Sequence, residues 1–172
     1  SLGLVVGLAA QRTLVGFDIP ARLKWPNDVL VGGEKISGIL IETVMLPGAF
    51  GAIIGVGINV NMSADDLAAI DTPAASMATC TGRDYAIPDV LDAMCSQLGP
   101  MLAEWAVAGL APFRADWLSA SDEMGRAVRV TAADGTTRAG TITGLGAMGE
   151  LLLTDLTGDI HSITEGDVTC TI

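Results

Sequence analysis

Residues 23–42, LKWPNDVLVGGEKISGILIE, constrain what this chain can fold into more than any other stretch. Apolar runs at 28–31 and 35–44 are joined by Gly32-Gly33, and two adjacent glycines supply the positive φ angles of a tight antiparallel hairpin. A short strand at 22–25 is stopped by Pro26, and Pro47-Gly48 turns the chain into a fourth strand at 52–60. The expectation is an antiparallel meander. Ile39-Leu40-Ile41 and Ile53-Ile54 are apolar on consecutive residues, more than a sheet with one wet face requires, so helical cover is expected. Leu4, Val5, Leu8, Ala9 and Leu14 recur at helical spacing and predict a buried helix over 2–15, closed by Gly16, that provides it. The apolar run in that helix meets Gln11 and Arg12 far short of a membrane span and has no basic region before it, so it reads as neither a span nor a signal peptide.

The remaining chain divides into two kinds of sequence. After Asn61 comes an alanine-rich connection with short helical pieces, including 74–80. Residues 88–108 then place Val90, Leu91, Met94, Leu98, Met101, Leu102 and Trp105 on one helical face. Gly99-Pro100 is expected to kink or split this helix, and 110–120 reads as another. From Arg126 the composition shifts to Val, Thr and Gly. Five short alternating segments, 126–133, 138–145, 149–155, 159–164 and 167–172, predict a barrel of about 50 residues. The boundary falls between 122 and 126, giving domains 1–123 and 124–172. The fold class expected from the residues is α+β: a sheet with covering helices, then a small β-barrel.

Composition removes several functions. Nine Lys and Arg stand against 20 Asp and Glu, a net charge of −11 spread along the chain, which argues against nucleic acid as a partner. Cys80, Cys95 and Cys170 are an odd number without CxxC spacing, and His161 is the single histidine. They make neither a convincing zinc site nor a disulfide framework, and a reducing cytoplasmic setting fits best. No P-loop or GxSxG is present, and His161, in a predicted barrel strand, reads as structural.

Within the hairpin two charges lie beside apolar residues. Lys35 is either an exposed hairpin lysine or a point charge for a phosphate or carboxylate, and Ser37-Gly38 after it lets a ligand approach the backbone. Asp28 is either a turn residue or a functional carboxylate. Gly55-Val56-Gly57 lacks the rest of a dinucleotide fingerprint and reads as a close backbone approach. Asn59 and Asn61 either cap a turn or meet a ligand.

The order of these pieces carries more than each alone. KWPND at 24–28, KISGIL at 35–40 and GVGINVN at 55–61, then a helical stretch and a terminal GELLLTDLTGDIHSITEGDV, resemble the biotin–protein ligase family over the whole chain. The resemblance implies a catalytic domain of the class II synthetase, biotin–lipoate ligase type, with an antiparallel or mixed sheet, and an SH3-like C-terminal domain. It implies ATP-dependent ligation of biotin to a carrier lysine through biotinyl-5′-AMP, with Mg2+, ATP and biotin as the small molecules and the biotin carboxyl carrier protein as acceptor. Lys35 corresponds to the catalytic lysine between biotin carboxylate and α-phosphate, and Gly38 and Leu40 to positions bordering biotin. Asp28 corresponds to the residue that orients or deprotonates the acceptor amine, while Asn27 and Asn59 lie near the nucleotide and its metal. Lys24 and Trp25 are structural parts of the motif. The family's glycine- and arginine-rich loop has no counterpart in these residues, so weak synthesis and retention of the adenylate are expected of them alone. Family members often pair through a sheet edge, which leaves monomer and homodimer both open. Two other readings are a lipoate or octanoyl transferase, disfavoured by the KWPND hairpin and the SH3-like tail, and a non-catalytic folding or dimerisation unit.

Overall fold

The computed structural model describes residues 1–170, apart from the side chain of Phe50. Helix α1 (Leu2–Gly16) leads into a four-stranded antiparallel meander of β1 (Arg22–Lys24), β2 (Asp28–Val31), β3 (Glu34–Leu46) and β4 (Ala49–Ile58), in the order β1-β2-β3-β4. Short helices α2 (Ala64–Ala68) and α3 (Met77–Thr81) precede the long α4 (Ile87–Ala108). A 3-10 turn (Ala111–Phe113) leads into α5 (Arg114–Ala120). A second antiparallel sheet contains β5 (Ala127–Thr131), β6 (Thr137–Leu145), β7 (Leu151–Thr154), β8 (Ile160–Ile163) and β9 (Asp167–Cys170), ordered β8-β7-β6-β5-β9. The last expected strand ran to 172, and its final two residues lie outside the described ones.

Helix α1 is buried on every side, which is why its sequence is apolar all round rather than striped. It packs directly on the sheet: a Cβ at Gly7 would lie in ordinary contact, 3.7 Å, with both the Ile39 and Leu23 side chains. The one buried amide, Gln11, donates from Nε2 to Ala21 O at 3.0 Å. Gly16 is the last helical residue rather than the cap; the chain turns at Phe17 and at Asp18, which takes a positive φ. Phe17 meets Tyr85 edge-on at 5.4 Å, and this contact fixes the exit.

Three expectations change. The expected cover extends over one sheet face only: Ile39 is 4 % exposed under α1, whereas Leu40 is 63 % and Ile53 54 % exposed on the other. The apolar runs alternate in burial even though they do not alternate in hydrophobicity. Helix α4 is continuous through Pro100, because that proline lies on the exposed side, where the carbonyl it leaves unpaired can meet water. Leu91, assigned to the packed face, is 59 % exposed, leaving Val90, Met94 and Met101 as its buried contacts.

Candidate active site

The hairpin folds as its sequence requires, with Gly32 and Gly33 at φ 59° and 90°. Beyond it lies an irregularity that the residue pattern did not disclose. Val29 pairs with Ser37 but Leu30 pairs with Lys35, so Ile36 is an extra residue on β3. In a regular strand Lys35 and Gly38, three apart, point to opposite faces. The bulge buries Ile36 completely and brings the Lys35 side chain back over Gly38, on the face that α1 leaves open.

That face has a floor without side chains. Gly38 pairs with Gly57 and Leu40 with Gly55, so three glycines adjoin across two strands. Their backbones do not need glycine for its φ angle, since none is among the positive-φ residues. A Cβ would also fit at Gly57, where its nearest neighbour is 3.9 Å away, and at Gly55, where it is 3.4 Å. What these glycines supply is open surface. At Gly38 a Cβ would come 2.9 Å from Lys35 Cε and 3.0 Å from Nζ, so this glycine also makes room for the lysine.

Two adjoining hollows share Lys35, Gly38 and Gly57. One, of about 490 Å³, is bordered by Asn27, Leu40, Gly55 and Val56. The other, of about 370 Å³, is bordered by Ser37, Asn59, Ile70, Thr72 and Ala74. Lys35 Nζ lies 2.6 Å from Asp28 Oδ1, and the lysine side chain is 43 % exposed against 22 % for the aspartate. The cation therefore sits where the two hollows meet, and an anion entering either one competes with Asp28 for it.

The backbone of Lys35 is clamped from the side opposite β2. Its N–H donates to Pro73 O at 2.9 Å, and its carbonyl accepts from Ala75 N at 3.0 Å. Asn59 supports the same strap, donating from Nδ2 to Ala75 O at 3.0 Å. Residues 74 and 75 read from sequence as the start of a short helical piece, 74–80; the helix begins only at Met77, and Ala74 bridges to Lys35 instead, a tie that nothing in the pattern disclosed.

The six residues singled out in the sequence, Asn27, Asp28, Lys35, Gly38, Leu40 and Asn59, thus border one open face. Asn27 reaches it with its amide already engaged, donating from Nδ2 to Ile39 O at 3.0 Å. Asn61, left open between two roles, forms a two-way clasp with the Tyr85 backbone at 2.8 and 2.9 Å. Lys24 and Trp25 point elsewhere: Lys24 Nζ lies 3.3 Å from Asp167 Oδ1, and Trp25 Nε1 donates to Gly149 O at 3.0 Å. His161 belongs to the second sheet, between Arg138 at 2.7 Å and Asp155 at 2.6 Å, a structural cross-strand network. These contacts hold Asp155 well below the usual carboxylate range, the His161 hydrogen bond contributing most.

Among the described residues no three His, Cys, Asp or Glu side chains gather as a metal cage. A magnesium ion entering with nucleotide phosphates needs no such cage, because phosphate oxygens and water fill most of its coordination. No helix among the described residues is long and apolar enough to cross a membrane.

Known proteins resemble this chain in sequence and in fold. Residues 2–59 match the biotin/lipoate A/B protein ligase family. The biotin–[acetyl-CoA-carboxylase] ligase of Paracoccus denitrificans is 35 % identical over 109 residues, covering 61 % of this chain and 40 % of that protein. The bifunctional ligase/repressor BirA of Escherichia coli (strain K12) is 41 % identical over 64 residues, 36 % of this chain and 20 % of that protein. The chain thus spans less than half the length of the curated relatives it matches. Among solved structures, the biotin protein ligase from Aquifex aeolicus in complex with biotin and ATP superposes with a TM-score of 0.81 at 28 % identity, over 99 % of this chain and 70 % of that one. Residues 2–59 thus carry the match to the biotin/lipoate A/B protein ligase family, and nearly the whole chain shares the architecture of the Aquifex aeolicus biotin protein ligase.

Proposed function

We propose that the chain carries out, within the open face of its first sheet, the ATP-dependent ligation of biotin to a lysine of a biotin carboxyl carrier protein. The observation that carries the reading is the bulge at Ile36, which sets one ammonium group over a floor of glycines where two hollows meet. Biotin has an apolar body and a carboxylate, and ATP a polyanionic tail. In this reading biotin takes the hollow bordered by Gly38 and Leu40 and the nucleotide the one that reaches Asn59, with Lys35 common to both. In the first step a biotin carboxylate oxygen bonds to the α-phosphorus of ATP and pyrophosphate leaves. Two anions must meet, so the step needs positive charge between them, and Lys35 supplies it. Mg-ATP enters as the nucleotide substrate, and Asn27 and Asn59 lie where the nucleotide and its ion would pass.

In the second step an acceptor amine attacks the acyl carbon of biotinyl-5′-AMP and AMP leaves. The amine must first lose a proton, since its free pKa is about 10.4. Asp28 is the carboxylate placed to orient it and take that proton. Without ligand Asp28 is paired with Lys35 at 2.6 Å; drawing the lysine onto the phosphate frees the aspartate for the amine. The second sheet forms a separate SH3-like domain over 124–172 in this reading, and exposed, unpaired Cys80, Cys95 and Cys170 fit a cytoplasmic setting.

A melting experiment with millimolar biotin or lipoate, each with Mg-ATP, tests the reading. A rise with biotin and not with lipoate is expected. A rise with lipoate alone would transfer the proposal to lipoate chemistry, and no rise with either would leave the fold without this function.

A further inference from the structure

One buried carboxyl has no part in the steps above. Glu123 is 8 % exposed, on the turn between α5 and β5, and its Oε2 accepts from the backbone N–H of Trp25 at 3.1 Å. Trp25 is itself 2 % exposed. Its N–H is the last main-chain donor before Pro26, which has none, and it lies beyond the final β1–β2 register pair, Lys24 with Asp28. Within the corner from Trp25 to Asp28, the main chain of Trp25 and of Asn27 is held from two sides. On one side Asn27 exchanges two bonds with Ile39, from Ile39 N to Asn27 O at 2.9 Å and from Asn27 Nδ2 to Ile39 O at 3.0 Å. On the other side stands Glu123.

The turn that carries Glu123 is fastened to both sheets. Leu23 bridges to Ser121, and Glu123 N donates to Ser121 Oγ at 3.2 Å. Gly125 N bonds Ile142 O at 2.9 Å, and Ile142 N bonds Arg126 O at 3.0 Å, tying the turn to β6. Lys24 to Asp167 and Trp25 Nε1 to Gly149 O extend the same fastening. Burial pushes the Glu123 carboxyl up from the usual range, while the Trp25 N–H and the charges of Lys24 and Arg126 pull it down. A carboxyl kept out of water in this way costs stability, so its retention calls for a role beyond filling space.

We infer that Glu123 is a positioning residue: from the side of the second sheet it fixes the Trp25–Asp28 corner and so sets where Asp28 stands against Lys35. The inference rests on the proposed roles of Asp28 and Lys35. It gives the second sheet a part in the chemistry without any of its residues touching substrate. Small displacements of a reacting group are enough for a large rate effect.

The test compares Glu123→Ala, which removes the acceptor, with Glu123→Gln, which keeps an oxygen at that place. Amide hydrogen exchange is measured on the whole chain. With Glu123→Ala the amides of Trp25 and Ile39 should exchange about tenfold faster while those of α1 and β5–β7 do not change, and Glu123→Gln should remain close to wild type. Transfer from preformed biotinyl-5′-AMP to acceptor should fall about tenfold in Glu123→Ala, with biotin affinity within about twofold, and recover in Glu123→Gln. Glu123→Asp, one methylene short of the amide, reports the same if the alanine variant does not fold. Unchanged exchange at Trp25 and Ile39, or equal acceleration everywhere, overturns the inference. A wild-type chain that transfers no biotin would sink the functional reading, while the exchange pattern still decides whether Glu123 holds the corner.

Discussion

Gly38→Ala separates a glycine that serves the site from one that serves the fold. The new methyl would stand 2.9 Å from Lys35 Cε and 3.0 Å from Nζ, and 3.7 Å from Asp28 Oδ1. Contacts under 3.0 Å are not sustained, so something must shift. The group that shifts is the end of a flexible side chain, 43 % exposed, rather than backbone. Two small terms then set the stability. Replacing glycine by alanine where φ is permissive gains about 0.4–1 kcal/mol through the unfolded chain. Loosening a half-exposed ion pair loses about 0–1 kcal/mol after solvent screening. Their sum lies within about 1 kcal/mol of zero, so Tm should move by no more than about 2–4 °C. The effect on chemistry is of another order. Removing one preorganised electrostatic group from a charge-developing step costs about 10²–10³ in rate, and displacing it approaches that loss. Biotin-dependent pyrophosphate release should therefore fall about a hundredfold while the melting curve hardly moves. A wild-type rate would mean that the position of Lys35 does not matter to the reaction. A Tm loss of several degrees would mean that Gly38 is there for packing.

Other substitutions probe the same face. Lys35→Met should abolish adenylate formation, measured by pyrophosphate release, and leave Tm within a few degrees; a large fall in Tm would mark a structural lysine. Asp28→Asn should slow transfer from preformed adenylate to acceptor more than it slows adenylate formation, and equal losses in single-turnover assays of the two steps would contradict the assigned role. Gly57→Ala finds its nearest neighbour 3.9 Å away, so calorimetry should show stability equal to or above wild type together with weakened ligand binding. Glu123→Gln tests the buried carboxyl. Its folded-state pKa is raised, so the native chain binds the proton more tightly than the unfolded one, and the charge weighs against stability above the folded pKa. The glutamine variant should melt higher than wild type in neutral and alkaline buffer, with the difference shrinking as pH falls toward the usual carboxylate range. A pH-independent difference in Tm would refute that assignment.

Much of the hairpin was legible because its signals are local. Gly32-Gly33 requires the turn whatever surrounds it, and Pro26 and Pro47 bound strands by removing a donor. The six site residues came from the order of KWPND, KISGIL and GVGINVN, since each alone has an ordinary structural use. The register slip at Ile36 was not legible. The apolar residues of KISGIL do not alternate, so they fix no register, and only the pairing of Leu30 with Lys35 reveals the bulge. The strap at 73–75 and the partnership of Trp25 with Glu123 were hidden for a different reason. Both are long-range backbone contacts, and no side-chain pattern announces them. Leu40 and Ile53 were read toward cover because apolar residues are usually buried; here they border an open face.

The central claim is that Lys35, swung over its glycine floor, meets the anions of biotin and ATP. Isothermal titration of the chain and of Lys35→Met with a non-hydrolysable biotinyl-5′-AMP analogue addresses it most directly. The account predicts measurable binding by the wild-type chain, weakened at least about tenfold in the variant, and competition by biotin but not by lipoate. Equal affinity in the two proteins, or competition by lipoate alone, would contradict it.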